Sequence, residues 1–188
     1  MPDGGQLEPP KTSALVNLPN AITFARLCAV PMAVWLVLHH DFLAAFWLFA
    51  AAGASDGVDG WLARRRGPTY VGALLDPVAD KALLVAMYVM LAVVHVLPDW
   101  LAIMVVFRDV LIVGGVLVLT LLGQPPAIRP LFVSKLNTLL QIVLVAAALL
   151  MAGSGIGDAW LLTGLIWLVA ASTLASGIAY IAKVVHLA

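Results

Sequence analysis

Six apolar runs, each near the length that crosses a bilayer, leave few folds open to this chain. A spanning helix needs about 20 consecutive apolar residues. The runs are broken only at His39-His40-Asp41, Arg64–Pro68, His95–Asp99, Gly123–Pro130 and Gly153–Asp158, which predicts helices near 21–38, 43–64, 70–94, 99–122, 131–152 and 159–185. Composition agrees: 63% of the 188 residues are hydrophobic and 11% charged, and the mean hydropathy is +1.07. A soluble domain needs more charge to cover its surface. The expected fold is therefore an all-α integral membrane protein with six transmembrane helices. Residues 1–13 are expected to form a flexible polar tail, lacking the basic start, apolar stretch and cleavage site of a secretory signal. Residues 14–188 are expected to form a single membrane domain.

Basic residues sort by side. Lys11 precedes the first run, Arg64, Arg65 and Arg66 lie between the second and third, Arg129 and Lys135 flank the start of the fifth, and Lys183 closes the sixth. The other three connections hold no Lys or Arg. The positive-inside rule then puts both termini and the triple-Arg loop in the cytoplasm, an N-in, C-in topology. Trp100 and Trp160 begin runs on the opposite side, where they fit interfacial anchoring. The lone cysteine, Cys28, excludes an internal disulfide, and its apolar surroundings point to plain packing. Four histidines, His39, His40, His95 and His186, sit near span ends, which accounts for them. A net charge of zero gives no sign of a nucleic-acid partner, and none is expected.

Asp3, Glu8, Asp41, Asp99 and Asp158 fall in tails or connections, but Asp56, Asp59, Asp76, Asp80 and Asp109 lie within predicted spans. An ionised side chain there costs roughly 2.5–3.5 kcal/mol on insertion scales unless it is compensated. The spacing of Asp56 to Asp59 and of Asp76 to Asp80 puts each pair on one helix face. The two helices are consecutive and joined by the short Arg-rich loop, so the four carboxylates are expected to converge in the cytoplasmic half of the bundle. Four such charges are either largely protonated or balanced by Arg, Lys or metal. Oxygen-only ligands favour hard ions such as Mg²⁺, Mn²⁺ or Ca²⁺, and paired divalent ions clamp phosphoryl groups. Gly53, Gly57, Gly60 and Ala63 share this face. Small residues there serve tight helix packing or make room for a ligand, and their interleaving with Asp56 and Asp59 favours the ligand.

The stretch Asp56-Gly-Val-Asp59-Gly60-Trp-Leu-Ala63-Arg64, followed by Gly72-Ala-Leu-Leu-Asp76-Pro-Val-Ala-Asp80, resembles the signature of the CDP-alcohol phosphotransferases. Every fixed position of that pattern is filled, and the six-run layout extends the resemblance over nearly the whole chain. The family transfers a substituted phosphate from a CDP-linked donor to an alcohol and releases CMP. The resemblance implies that Asp56, Asp59, Asp76 and Asp80 hold two divalent cations, Mg²⁺ or Mn²⁺, with Asp80 also the general base. It implies that Gly60, Ala63 and Arg64 contact the CDP moiety, and it suggests a homodimer.

Asn17-Leu-Pro-Asn20-Ala-Ile-Thr23-Phe-Ala-Arg26 resembles the opening of the phosphatidylglycerophosphate and cardiolipin synthase branches, with Asn20 and Arg26 as further donor-binding candidates. Snorkelling to the interface is the plain alternative for Arg26. Arg108-Asp109 lies deep in the fourth run. A local ion pair is the bland account, but adjacent residues share a helix face poorly, so at least one partner is expected to reach another helix. Lys135, in Ser134-Lys135-Leu136-Asn137-Thr138, suits a phosphate, with membrane-surface anchoring as its rival. Arg108, Asp109 and Lys135 are the acceptor-site candidates. The Arg-Asp pair and Asn137, where phosphatidylglycerophosphate synthases carry a second Lys, look most like the CMP-forming cardiolipin synthases. The expected donor is CDP-diacylglycerol and the expected acceptor phosphatidylglycerol, with glycerol 3-phosphate as the alternative. A bacterial inner membrane is the expected setting, with the active site facing the cytoplasm and a lateral opening through which lipid enters.

A cation-binding transporter is the rival from another class. The absence of an internal repeat and the one-sided carboxylates weigh against it. The substitution Asp80→Asn is expected to abolish turnover while leaving the bundle folded and donor binding largely intact; near-normal CMP release would rule Asp80 out as the base.

Overall fold

The computed structural model describes residues 18–66, 70–121 and 132–185, with side chains described for 25–55, 81–115 and 132–182. Six helices follow one another: α1 (Leu18–Leu38), α2 (Phe42–Arg66), α3 (Tyr70–Val93), α4 (Asp99–Leu121), α5 (Phe132–Ser154) and α6 (Ala159–Val185). Each corresponds to one hydropathy run, and the largest boundary difference is at the start of α1, 18 against an expected 21. The agreement has a simple cause, since apolar segments and polar breaks are both local properties of the chain.

Helix ends are closed where the sequence turns polar. Asp41 N–H donates to Leu36 O at 2.9 Å and His40 N–H to Val37 O at 3.0 Å, the paired bonds of a Schellman cap. The same pattern ends α3, with Val96 N–H on Leu91 O at 2.9 Å and His95 N–H on Ala92 O at 2.8 Å. The cap needs a residue with positive φ, and His40 (60°) and His95 (58°) take the place glycine usually fills. Both histidines, read only as residues near span ends, thus have a backbone role.

α1 packs against α2 and α3, α2 against α5, α5 against α6 and α3, and α4 against α3 and α6. The shared interior holds Ala33, Val37, Ala45, Met87, Tyr88, Leu91, Leu101, Val105, Leu144, Val145, Leu149 and Val169. Tyr88 is wholly buried, and its hydroxyl donates to the Gln141 carbonyl at 3.2 Å. The outside is apolar as well: Trp47, Ile103, Phe107, Phe132, Trp160 and Ile178 are all well over half exposed. Trp160 is 88% exposed at the start of α6, while Trp100 approaches Trp167 with ring centroids 5.6 Å apart. Cys28 is also exposed, so the packing role expected for it fails; it sits on the outward side of α1. Among the described residues, Phe132–Ser154 and Ala159–Ala182 are long and apolar enough to cross a membrane, and Ala25–Leu38, Phe42–Ser55 and Lys81–Val93 are shorter apolar stretches.

Close approach between helices occurs at Gly153, where an added Cβ would lie 2.7 Å from the Leu43 backbone nitrogen. A backbone atom cannot swing aside. Gly153→Val is therefore expected to lower unfolding stability by about 1–3 kcal/mol. Gly164→Ala, whose Cβ meets nothing within 4 Å, is expected to leave thermal unfolding in detergent unchanged or slightly raised.

Candidate active site

The backbone of α2 carries Asp56, Asp59, Gly60, Ala63 and Arg64, and that of α3 carries Asp76 and Asp80. Both segments are helical, which is what the i, i+3 and i, i+4 spacings require. The side chains of these residues, and of Asn20 in α1, lie outside the described residues. Among the described residues no group of three His, Cys, Asp or Glu gathers in a manner that could hold a metal.

The surroundings are described. A cavity of about 630 Å³ lies among α1, α2, α3 and α5, walled by Phe46, Phe49, Leu83, Leu84, Ile142 and small residues including Gly53. Among the described residues, its polar lining is Arg26, Lys81 and Thr138. Gly53 stands one turn before Asp56 on α2, and Lys81 follows Asp80 on α3. Continuing from the cavity toward the 67–69 connection, both helices lead directly into the motif. Arg26 is buried at the cavity wall, which is not the placement of a side chain snorkelling to the surface.

Next to the cavity, α3, α4, α5 and α6 are joined by a polar cluster. Arg108 Nη1 lies 2.7 Å from Asp109 Oδ1, and Lys81 Nζ lies 2.6 Å from the same oxygen. Arg108 Nη2 donates to Ser134 Oγ at 2.7 Å and also to Ser176 Oγ. The local ion pair and the reach across helices are thus both present, because Arg108 bonds to α5 and α6 while Asp109 receives α3. Two cations on one oxygen repel each other. The shared carboxylate offsets that repulsion. Arg108 Nε and Asp109 Oδ2 are buried without a hydrogen-bond partner among the described residues.

Asn137 belongs to a second seam. It is wholly buried, and its Oδ1 accepts from Ser172 Oγ at 2.7 Å and Thr173 Oγ1 at 2.9 Å. The residue read as part of acceptor choice therefore faces α6, two residues along from Lys135, which is exposed. One turn on, the Gln141 side chain is buried, and neither of its polar atoms has a hydrogen-bond partner among the described residues. Sequence reasoning missed Lys81, Ser176, Ser172 and Thr173. Lys81 carried a usable signal, since a Lys within a span is as costly as an Asp. The hydroxyls carried none, because Ser and Thr satisfy themselves on their own helix and need no partner to enter a membrane.

Comparison with known proteins now bears on this arrangement. Residues 16–180 match the model of the CDP-alcohol phosphatidyltransferases. The chain belongs to that family. It is 37% identical over 184 residues to a chloroplastic CDP-diacylglycerol–glycerol-3-phosphate 3-phosphatidyltransferase of Oryza sativa subsp. japonica, covering 88% of this chain and 56% of the relative. It is 32% identical over 167 residues to a CMP-forming cardiolipin synthase of Homo sapiens, covering 78% and 56%. It is 34% identical over 152 residues to the CDP-diacylglycerol–glycerol-3-phosphate 3-phosphatidyltransferase of Bacillus subtilis, covering 72% and 78%. The chain spans about half the length of the first two of these curated relatives. Names of both acceptor types thus occur among the CDP-alcohol phosphatidyltransferases similar to this chain.

Within this family member, the α5–α6 seam generates a prediction. Asn137→Leu removes the acceptor for Ser172 and Thr173 and is expected to cost about 1 kcal/mol of stability, as interhelical polar contacts in membranes typically do. The Michaelis constant for the alcohol is expected to stay unchanged. A raised constant with unaltered thermal unfolding would give Asn137 a part in acceptor binding beyond the seam.

Proposed function

We propose that this chain transfers a phosphatidyl group from CDP-diacylglycerol to phosphatidylglycerol, forming cardiolipin and CMP. The observation carrying the lipid donor is the order of features along α2. Arg64, Ala63 and Gly60 come first from the 67–69 connection, then Asp59 and Asp56, then Gly53, Ala50, Phe49 and Phe46 on the cavity wall. That order is nucleotide, phosphate, acyl chain, the layout of the donor itself. From Asp56 to Phe46 the helix rises about 15 Å, a span suited to fatty chains lying in an apolar cavity. Six bilayer-crossing helices, cytoplasmic termini and a homodimer complete the reading. The apolar exterior supports the membrane setting, and the one-sided basic residues support the orientation.

In the reaction, Asp80 takes the proton from the acceptor hydroxyl. The oxygen attacks the phosphorus distal to cytidine, its bond to the CMP oxygen breaks, and CMP departs. Asp56, Asp59, Asp76 and Asp80 are the residues that would hold two divalent cations; an all-oxygen donor set on two helical faces fits hard ions. Those cations would offset charge on the transferring phosphate. Arg64 steadies the diphosphate, and the apolar walls keep water from competing with the alcohol.

Charge at the acceptor end favours a lipid diester. Arg108 is 4% exposed, and its two terminal nitrogens are occupied by Asp109, Ser134 and Ser176. Lys135, exposed on α5, is then the cation left to the acceptor, since Lys81 is held at the cavity by Asp109; one such charge suits a monoanionic diester and is poorly matched to a dianionic phosphomonoester. A second reading, glycerol 3-phosphate as acceptor, draws on the 37% identity to the rice enzyme of that name.

The test supplies the purified protein with CDP-diacylglycerol, Mg²⁺ or Mn²⁺ and each alcohol in turn, following CMP and lipid product. Cardiolipin is expected from phosphatidylglycerol, with turnover abolished by chelator and restored by either ion. Turnover with glycerol 3-phosphate alone overturns the acceptor assignment, and no metal-dependent turnover with any alcohol overturns the enzymatic reading.

A further inference from the structure

Lys81, Asp109 and Arg108 meet around one carboxylate oxygen, yet they differ in access. The side chains of Arg108 and Asp109 are 4% and 7% exposed, whereas that of Lys81 is 38% exposed. Lys81 lines the cavity; Asp109 stands behind it and contributes nothing to the lining. Contacts run in one direction across the bundle. Ser134 on α5 and Ser176 on α6 hold Arg108, Arg108 holds Asp109, and Asp109 holds Lys81. A lysine is a point charge on a flexible stem, and it gains a defined position only from a partner. The trio carries two positive charges and one negative, so a single positive charge is left over, presented by Lys81 at the polar end of an apolar space.

We propose that Asp109 is a positioning residue for the donor lipid: it holds the Lys81 ammonium where that group contacts the phosphate of CDP-diacylglycerol. The inference rests on the reading of the cavity as the site of the donor's acyl chains. Asp109 is itself a carboxylate and would repel a phosphate, so its effect on an anionic substrate is exerted through the cations it carries. Lys81 follows Asp80 in sequence, which sets the contact beside the motif.

The test compares Lys81→Met, Asp109→Asn, the double variant and Lys81→Arg with the unaltered protein. It reads kcat and KM for CDP-diacylglycerol and for the acceptor, with thermal unfolding in parallel. Each single change is expected to raise the donor KM about tenfold, the loss of one charge-assisted contact. The double variant is expected to match the singles within about twofold, since one residue acts through the other. Lys81→Arg is expected to recover most of the donor KM, and the acceptor KM to stay put. Multiplying effects in the double variant would overturn the proposal, as would an unchanged donor KM with lowered unfolding temperature, the mark of a merely structural ion pair. A rise confined to the acceptor KM would also overturn it. Absent turnover in the unaltered protein would count against the functional reading instead.

Discussion

A charge in an apolar bundle has to find its counterpart inside the protein, and this requirement organises the interior. Arg108, Asp109 and Lys81 satisfy it by sharing one oxygen, and Ser134 and Ser176 take up the remaining terminal nitrogen of the guanidinium. Removing one member of such a set leaves a buried charge uncompensated, which is far more costly than the intact set is stabilising. The cluster ties α3, α4, α5 and α6 together at one point. The helix surfaces turned away from it are free to be apolar, and they are.

The same constraint separates two polar regions with different duties. One is the Lys81–Asp109–Arg108 cluster, which presents a cation to the cavity. The other is the Asn137 seam, whose hydrogen bonds to Ser172 and Thr173 end within the protein. Both begin on the first turns of α5, only three residues apart at Ser134 and Asn137. Residues three apart share a helix face, so the two regions lie side by side there, Ser134 bonded to Arg108 and Asn137 to Ser172 and Thr173. The cavity adds the third component, an apolar volume whose polar end abuts the two motif helices. A family that moves a lipid phosphate between polar groups needs these parts adjoining: water-excluding walls, fixed cations and carboxylates.

Much of the architecture was legible before any coordinates. Hydropathy runs marked all six helices, because apolar length and polar interruption are read residue by residue. The motif on α2 and α3 was equally plain, since i, i+3 and i, i+4 spacing is a property of one helix. Arg108 and Asp109 stood out through their cost in a membrane, although their partners did not. For Asn137 the place in a short motif was visible, but the hydrogen bonds to Ser172 and Thr173 were not. Lys81 escaped notice beside a run of aspartates, despite carrying the same penalty.

By itself, then, the sequence determined what is local: helix number and extent, the positions of intramembrane charge, and the order of motif residues along α2. Tertiary structure alone decided which charges meet. Lys81 reaches Asp109 across the α3–α4 contact, Arg108 reaches Ser176 across 68 residues of chain, and Asn137 turns to α6. Such pairings depend on how helices rotate and pack against one another, and that is set by the whole interior at once. No window along the chain contains it.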